Sequence, residues 1–343
     1  MHPILLALLA AALFGASTPL SKGLLAVWTP QQLAGMLYLG AALGLAPALF
    51  FARAGSSFVH ANRANVLRLA GSIAFGGVLG PILLLAGLRL ASASSVSLWL
   101  NLEMAATSLL AVLLFREHLG PKGWLGAVCV LGAGLLLSWS DGNAGPKAGL
   151  LLGLACLCWG FDNNLTSLID GLHPVQSAFW KGAVAGTVNL TLGFWLSKPE
   201  GISVQAIGGA LALGALAYGA SIVLYIRAAQ ALGASRSQMV FASAPIFGLA
   251  FSALWLHEPL TAYHGMALGL QAVGMVFLFR DRHSHPHVHE ALEHTHEHAH
   301  DDNHHTHAHA VMPPSRRHTH RHRHGALAHD HPHWPDLHHR HPH

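Results

Sequence analysis

The chain has 343 residues, of which 52% are hydrophobic and only 10% are charged, and its formal net charge is +4 at pH 7. A soluble domain carries about 25% charged residues, so this composition excludes a protein whose surface mostly faces water. The three cysteines form no CxxC pair, which excludes a disulfide framework and a zinc ribbon.

In chain order, the sequence contains ten apolar runs of about 20 residues, the length that a helix needs to cross a bilayer. We predict an all-α membrane protein with ten transmembrane helices, followed by a polar tail. Nine loop lysines and arginines fall on the N-terminal side and four on the other, which predicts cytoplasmic N- and C-termini in the cell (inner) membrane. The predicted spans are 3–25, 31–52, 66–87, 91–115, 121–140, 149–169, 174–196, 203–226, 233–256 and 261–280.

Polar landmarks in the first half recur in the second half. Thr29-Pro-Gln-Gln32 is echoed by His173-Pro-Val-Gln176, and Arg116-Glu-His-Leu119 by His257-Glu-Pro-Leu260. Each half contains five runs, an odd number, so the second half enters the membrane with the opposite orientation. Inverted repeats of this kind usually build transporters with a substrate site between the halves. The predicted divisions are a first five-helix repeat, a second one and a disordered His-rich cytoplasmic tail, at residues 1–140, 141–280 and 281–343.

Two blocks of the first half carry a resemblance to a known family. The segment Ala12-Leu-Phe-Gly-Ala-Ser-Thr-Pro-Leu-Ser-Lys22 and the block "SASSVSLWL…FREHLGPKGWLGAVCVLGAGLLL" look like the two ends of an EamA repeat. The second half repeats the pattern through "GASRSQMVFASAPIFGLAFSALWLHEPL". The chain therefore resembles the drug/metabolite transporter (DMT) superfamily over about residues 3–280. The resemblance implies export of small metabolites, amino acids or drugs, often coupled to protons, and it fixes the fold better than the cargo. One departure is Glu103, which stands where the second repeat has the family's Pro245.

Three ionisable residues inside the apolar runs are candidate transport residues. Glu103 lies near the middle of the fourth run, and we interpret it as a proton or cation coupling site. The alternative is an acid hydrogen-bonded to neighbouring helices through Asn101 or Thr107. Asp162 and Lys181 lie at similar depths, roughly 10 Å, on consecutive antiparallel helices. We hypothesise that they form a buried ion pair with a structural or gating role.

Three further polar residues are weaker candidates for the transport pathway. Asn163 and Asn164 either orient a polar ligand or join helices. Lys22 matches a basic position of the family's first helix, and it either takes part in transport or simply extends to the membrane surface.

The C-terminal tail is rich in histidine, with 23 of the 29 histidines in the last 63 residues. It has no apolar periodicity, so we predict that it is disordered. Clustered neutral imidazoles predict binding of nickel, cobalt, zinc or copper ions, although a biased tail without a role in transport is an alternative. No tightly bound cofactor is expected. The predicted metal-binding residues are His283, His285, His287, His289, His294, His296, His298, His300, His304, His305, His307, His309, His318, His320, His322 and His324.

Three functions are consistent with these patterns. The first is efflux of divalent transition metals, nickel or cobalt before zinc or copper, with the tail as a metal buffer. The second is proton-coupled export of amino acids, metabolites or drugs, with a peripheral tail. The third is a membrane metal sensor or storage protein. An enzyme is not expected, because the spans contain no nucleophile–base arrangement, no HExxH and no phosphate-binding loop. The expected partners are the lipid bilayer and a small-molecule or metal-ion substrate, with no nucleic acid. A homodimer is left open.

Overall fold

In the computed structural model, the chain forms a bundle of helices followed by short strands. The structure describes residues 2–51, 63–115, 119–142, 145–169, 174–198, 202–232, 237, 240–280, 284–289, 292–298, 318–324 and 327–332. The α-helices within these ranges are α1 Pro3–Gly15, α2 Ser17–Leu24, α3 Pro30–Phe51, α4 Arg63–Ser72, α5 Gly80–Leu90, α6 Ala93–Trp99, α7 Leu102–Phe115, α8 Pro121–Ser140, α9 Gly145–Ser167, α10 Pro174–Leu196, α11 Val204–Gly214, α12 Ser221–Leu232, α13 Ala244–Trp255 and α14 Ala262–Arg280.

Within the described ranges, seven helical stretches are long and apolar enough to cross a membrane. They are Pro3–Leu24, Pro30–Leu49, Arg63–Leu90, Ala93–Leu114, Pro121–Ser140, Gly145–Ser167 and Val204–Ala229. The seventh predicted span corresponds to α10, a 23-residue helix that carries several polar residues. The last two predicted spans correspond to shorter apolar helices, Ala244–Trp255 and Ala262–Leu278. The structure therefore supports a membrane protein with at least seven helices of spanning length and composition.

Both halves of the chain depart from regular α-helix at equivalent positions. A π-helical segment at Ile73–Leu79 connects α4 to α5, and another at Ala215–Ala220 connects α11 to α12. The two segments begin 142 residues apart. Helix breaks at Leu100–Asn101 and Ala242–Ser243 show the same spacing. The repeat predicted from loop landmarks is thus also visible in the irregularities of the helices.

The break after α6 changes the expected position of Glu103. The fourth run was predicted as one continuous helix, but Glu103 lies in the first turn of α7 instead. Gln271 compensates for the interruption, since its amide donates to the Leu98 carbonyl at 2.7 Å and accepts from Asn101 at 2.9 Å. A glutamine on a distant helix thus gives the Leu98 carbonyl a second donor beside the Asn101 N–H and binds the Asn101 side chain. This contact could not be anticipated from the local sequence.

The two halves pack directly against each other. Helix α3 packs on α10 and on the second π-helical segment, α1 on α12, α5 on α9, and α8 on α14. At the contact between α8 and α14, a side chain on Gly126 or Gly274 would overlap the backbone of the other helix. The absence of a side chain therefore permits the close approach of these helices, as in other membrane bundles. This packing encloses a space between the halves.

The described part of the tail contains four strands, β1 Ser284–His289, β2 Leu292–His298, β3 His318–His324 and β4 Leu327–Pro332. Strand β1 pairs antiparallel with β4, and β2 pairs antiparallel with β3. The disorder predicted for the tail stays a prediction. The alternation of His-x-His has a period of two, which matches the alternation of faces along an extended strand.

Candidate transport cavity

A cavity of about 460 Å³ lies between the two halves of the bundle. Its lining comes from most of the helices, including α1, α3, α7, α9, α10 and α12. It extends to Ile169 and Pro174, at the end of the bundle where α9 ends and α10 begins. The polar and aromatic side chains at its surface include Phe14, Tyr38, Glu103, Trp159, Asp162, Asn163, Lys181, Tyr218, Tyr225 and Phe241.

The predicted ion pair between Asp162 and Lys181 is present. The Lys181 Nζ atom lies 2.6 Å from Oδ1 and 2.7 Å from Oδ2 of Asp162. The Ser72 hydroxyl donates to Oδ1 at 2.5 Å and the Thr166 hydroxyl at 3.0 Å. Both charged side chains are largely buried, with 10% exposure for Asp162 and 19% for Lys181. The carboxylate is therefore neutralised and well supplied with donors.

The first π-helical segment makes room for this pair. A side chain on Gly76 would overlap the Asp162 carboxylate. The Gly76 carbonyl accepts from the Tyr38 hydroxyl at 2.7 Å and from Trp159 Nε1 at 3.1 Å. Asn189 similarly donates to the neighbouring Gly77 carbonyl at 2.9 Å. Side chains from three other helices thus bind backbone carbonyls of the π-helical segment, a kind of irregularity that is common at functional sites.

Glu103 is the second carboxyl of the cavity, and its surroundings differ. Its Oε1 atom accepts from Asn163 Nδ2 at 2.8 Å. The same amide lies 3.2 Å from the Thr107 hydroxyl, which donates to the Glu103 backbone carbonyl. The side-chain partner is therefore Asn163, whereas Asn101 or Thr107 was expected from the sequence. Among the described residues, no cationic side chain forms an ion pair with Glu103. Its position in the first turn of α7 favours a negative charge, because the helix dipole is positive there.

Two other predicted transport residues lie outside the cavity. Asn164 donates to the Gly160 carbonyl at 2.8 Å and to the Thr107 carbonyl at 3.1 Å, so it joins α9 to α7. Lys22 donates to the carbonyls of Leu88 and Ala91 at the C-terminal end of α5. The cavity thus brings together Glu103, Asp162, Asn163 and Lys181 but neither of these two. The transport roles of all six residues stay predictions.

The end of the bundle opposite Ile169 is closed by polar contacts, and we call it the capped end. There Glu258 accepts from the backbone N–H groups of Ala93 and Ser94, each at 2.8 Å. The Ser94 hydroxyl also donates to Glu258 at 2.6 Å. Arg89 donates to the Trp28 carbonyl at 2.9 Å. Glu258 thus caps the start of α6, Lys22 binds the end of α5, and Arg89 joins α5 to the segment between α2 and α3. These polar contacts close the bundle on that side.

Five rings form a continuous surface on one side of the cavity, which we call the aromatic wall. Tyr38 stacks on Tyr218 with 6.1 Å between ring centroids, and Phe14 meets Tyr218 edge-on at 5.7 Å. Phe241 lies 5.5 Å from Phe14 and 5.1 Å from Tyr225. This wall was not predicted from the sequence. A signal existed, because the chain has four tyrosines and two of them fall well inside apolar runs, away from the membrane surfaces that tyrosine favours.

The predicted metal residues of the tail fall into two groups. Ten of them lie in strands β1 to β3, but their side chains are outside the described part of the structure. The other six, His283, His300, His304, His305, His307 and His309, lie outside the described residues altogether. Among the described residues, no group of three His, Cys, Asp or Glu side chains is placed to hold a metal ion. Metal binding by the tail stays a prediction.

A bundle of membrane-length apolar helices, repeated in two halves around a cavity with buried charged groups, defines a polytopic membrane transporter. The sequence profile of the EamA-like transporter family matches residues 1–139 and 147–280, which is most of the chain in two consecutive copies. The chain belongs to the EamA-like transporter family, within the DMT superfamily.

Individual relatives agree with this assignment. The chain is 27% identical over 287 residues to a protein of Methanothermobacter thermautotrophicus described as an uncharacterized transporter, covering 78% of this chain and 82% of the relative. A Synechocystis protein with the same description is 24% identical over 218 residues, covering 57% and 66%. A crystal structure matches 80% of this chain and 96% of its own with a TM-score of 0.57. At 14% identity, that last match supports the fold alone.

Proposed function

We propose that the protein is a secondary transporter that exports a small organic solute through the central cavity, with Glu103 as the coupling group. The observation that carries this proposal is the contrast between the two cavity carboxyls. Asp162 is neutralised by Lys181, whereas Glu103 is held by the Asn163 amide, a partner that suits either protonation state. A carboxyl that can gain and release a proton, or a cation, inside a membrane bundle is a typical coupling site.

The arrangement in the membrane belongs to the same proposal. We infer ten spans in two inverted five-helix repeats, with both termini in the cytoplasm and the protein in the cell (inner) membrane. Lysines and arginines concentrate on the side to which the cavity extends, which supports a cytoplasmic opening. The capped end then faces outward. A cavity that opens inward and is closed outward is the state in which an exporter accepts its cargo.

Reconstitution into liposomes tests the proposal. Wild-type protein is expected to accumulate at least one member of a panel of radiolabelled amines, amino acids and carboxylates when a pH gradient is imposed. The variant Glu103→Gln is expected to lose accumulation while retaining the wild-type melting temperature in detergent. If the wild-type protein moves no organic solute faster than empty liposomes, the proposal is wrong.

The histidine-rich tail favours a second candidate, export of a divalent transition metal. The 23 tail histidines would collect nickel, cobalt, zinc or copper at the cytoplasmic entrance and raise its local concentration. Cells that express the full chain should then contain less of one of these metals than cells that express Glu103→Gln. Elemental analysis of both cell types measures this directly. Equal metal content in both would leave the tail as a metal buffer unrelated to transport.

A further inference from the structure

With Glu103 ionised, the charges at the cavity surface add up to a single negative charge. Among the described residues that line it, the charged side chains are Glu103, Asp162 and Lys181. Lys181 is engaged with both carboxylate oxygens of Asp162, so these two charges cancel locally. The ionised Glu103 is left without a cationic partner in the described structure. In a bundle surrounded by lipid, such a charge favours a ligand that brings one positive charge.

The aromatic wall supplies the other half of a binding site. The Tyr38 hydroxyl is bonded to the Gly76 carbonyl, so this ring is held in place by its polar end. Phe14 and Phe241 carry no polar group, so ring surface is what these three residues offer a ligand. Aromatic rings bind other rings in stacked or edge-on contacts and attract cations to their faces. A volume of about 460 Å³ lies within the usual range of small-molecule pockets, about 300–1,000 Å³.

The two halves of the chain contribute differently to this site. At the repeat offset of 142 residues, Glu103 corresponds to Pro245, and the small Gly76 corresponds to Tyr218. The charged groups come from α7, α9 and α10, whereas the wall residues come from α1, α3, the second π-helical segment, α12 and the turn before α13. The charges and the aromatic wall are thus carried by different elements that line the same cavity. A ligand that is itself polar at one end and aromatic at the other can contact both.

From these observations we propose that the cavity binds monovalent organic cations with an aromatic body, with the ammonium group on Glu103 and the ring on the aromatic wall. This inference rests on the proposed function, because it names the solute class that the same cavity would transport. Zwitterionic and anionic solutes are disfavoured. Their carboxylate would need a cation, and Lys181 could serve only by leaving Asp162 as an unpaired buried charge.

Binding to the purified full-length protein in detergent tests the inference. The probes are phenethylamine as the cation, phenylalanine as the zwitterion, phenylacetate as the anion, and cyclohexylethylamine as the cation without an aromatic ring. Titration calorimetry at neutral pH is expected to give phenethylamine at least roughly tenfold tighter binding than phenylalanine or phenylacetate. Cyclohexylethylamine should bind more weakly than phenethylamine by roughly threefold, since it lacks the ring contacts.

Two variants and two matched controls locate the site. Glu103→Gln should weaken phenethylamine binding by roughly tenfold or more, and Tyr218→Leu by roughly threefold. Asp141→Asn and Tyr263→Leu change another carboxylate and another tyrosine outside the cavity lining and should leave binding unchanged. Melting temperatures measured in parallel identify any variant that fails to fold. Equal or tighter binding of phenylalanine or phenylacetate, or unchanged binding in Glu103→Gln, would overturn the inference.

The outcomes separate this inference from the proposed function. Phenethylamine binding with the expected pattern but no transport in liposomes would leave the inference standing and remove the proposed function. If the protein accumulates another solute in a Glu103-dependent way but does not bind phenethylamine, the proposed function stands and the inference is removed.

Discussion

Removing only the lysine charge of the Asp162–Lys181 pair should destabilise the protein far more than removing both charges. At 2.6 Å and an effective dielectric constant of about 20, the attraction is on the order of 6 kcal/mol before the cost of desolvation is subtracted. The variant Lys181→Met leaves the Asp162 carboxylate buried with two hydroxyl donors and no counter-charge. We expect it to lower the free energy of unfolding by about 3–5 kcal/mol.

The double variant Asp162→Asn/Lys181→Met removes both charges. An amide retains acceptor and donor atoms for Ser72 and Thr166, and methionine fills most of the space of the lysine stem. We therefore expect the double variant to be more stable than Lys181→Met. A double-mutant cycle should give an interaction energy between the two side chains of at least about 2 kcal/mol. Unfolding in mixed detergent micelles, followed by tryptophan fluorescence, measures all four proteins.

The matched control is Lys198→Met, which changes an exposed lysine and should alter the free energy of unfolding by less than about 0.5 kcal/mol. Additive effects of Asp162→Asn and Lys181→Met, within about 0.5 kcal/mol, would show that the two side chains do not depend on each other. The interpretation of Asp162 as a neutralised carboxyl would then be wrong. An ion pair would then no longer distinguish Asp162 from Glu103.

Three further predictions concern the packing, the capped end and the tail. Gly76→Ala should lower the melting temperature markedly, because its new methyl group overlaps the Asp162 carboxylate. The control Gly265→Ala, whose methyl group meets nothing within 4 Å, should be neutral or slightly stabilising. Equal melting temperatures of the two variants would contradict the close approach of Gly76 to Asp162. Glu258→Ala removes three hydrogen bonds at the start of α6 and should lower the free energy of unfolding by about 1–2 kcal/mol in the same micelle assay. An unchanged free energy of unfolding would refute the capping role of Glu258. Deletion of residues 283–343 should abolish nickel binding in equilibrium dialysis and leave pH-driven solute accumulation intact. Nickel bound to the truncated protein would instead place the metal site in the helical part.

Much of the fold was accessible from the sequence because its physical signals are strong and local. A bilayer requires about 20 apolar residues per helix, so the runs identify most helices directly. The loop landmarks near Thr29 and His173 revealed the duplication. The Asp162–Lys181 pair followed from equal depth on consecutive antiparallel helices, and the structure confirms it.

What could not be predicted depends on contacts between distant parts of the chain. The break before Glu103 is stabilised by Gln271, which lies 168 residues further along the sequence. The aromatic wall combines rings from both halves, and apolar periodicity does not distinguish a ring that lines a cavity from one in a packed interior. Lys22 was a candidate because of a family position, whereas its ammonium group binds backbone carbonyls at the capped end.

Proton movement through reconstituted protein tests the role of Glu103 most directly. A pH-sensitive dye inside the liposomes reports protons that cross the membrane when a transported solute is added on one side. We predict that the wild-type protein moves protons in the direction opposite to the solute, and that Glu103→Gln, folded and able to exchange solute down its gradient, moves none. Solute-driven proton movement at the wild-type rate in Glu103→Gln would contradict the account.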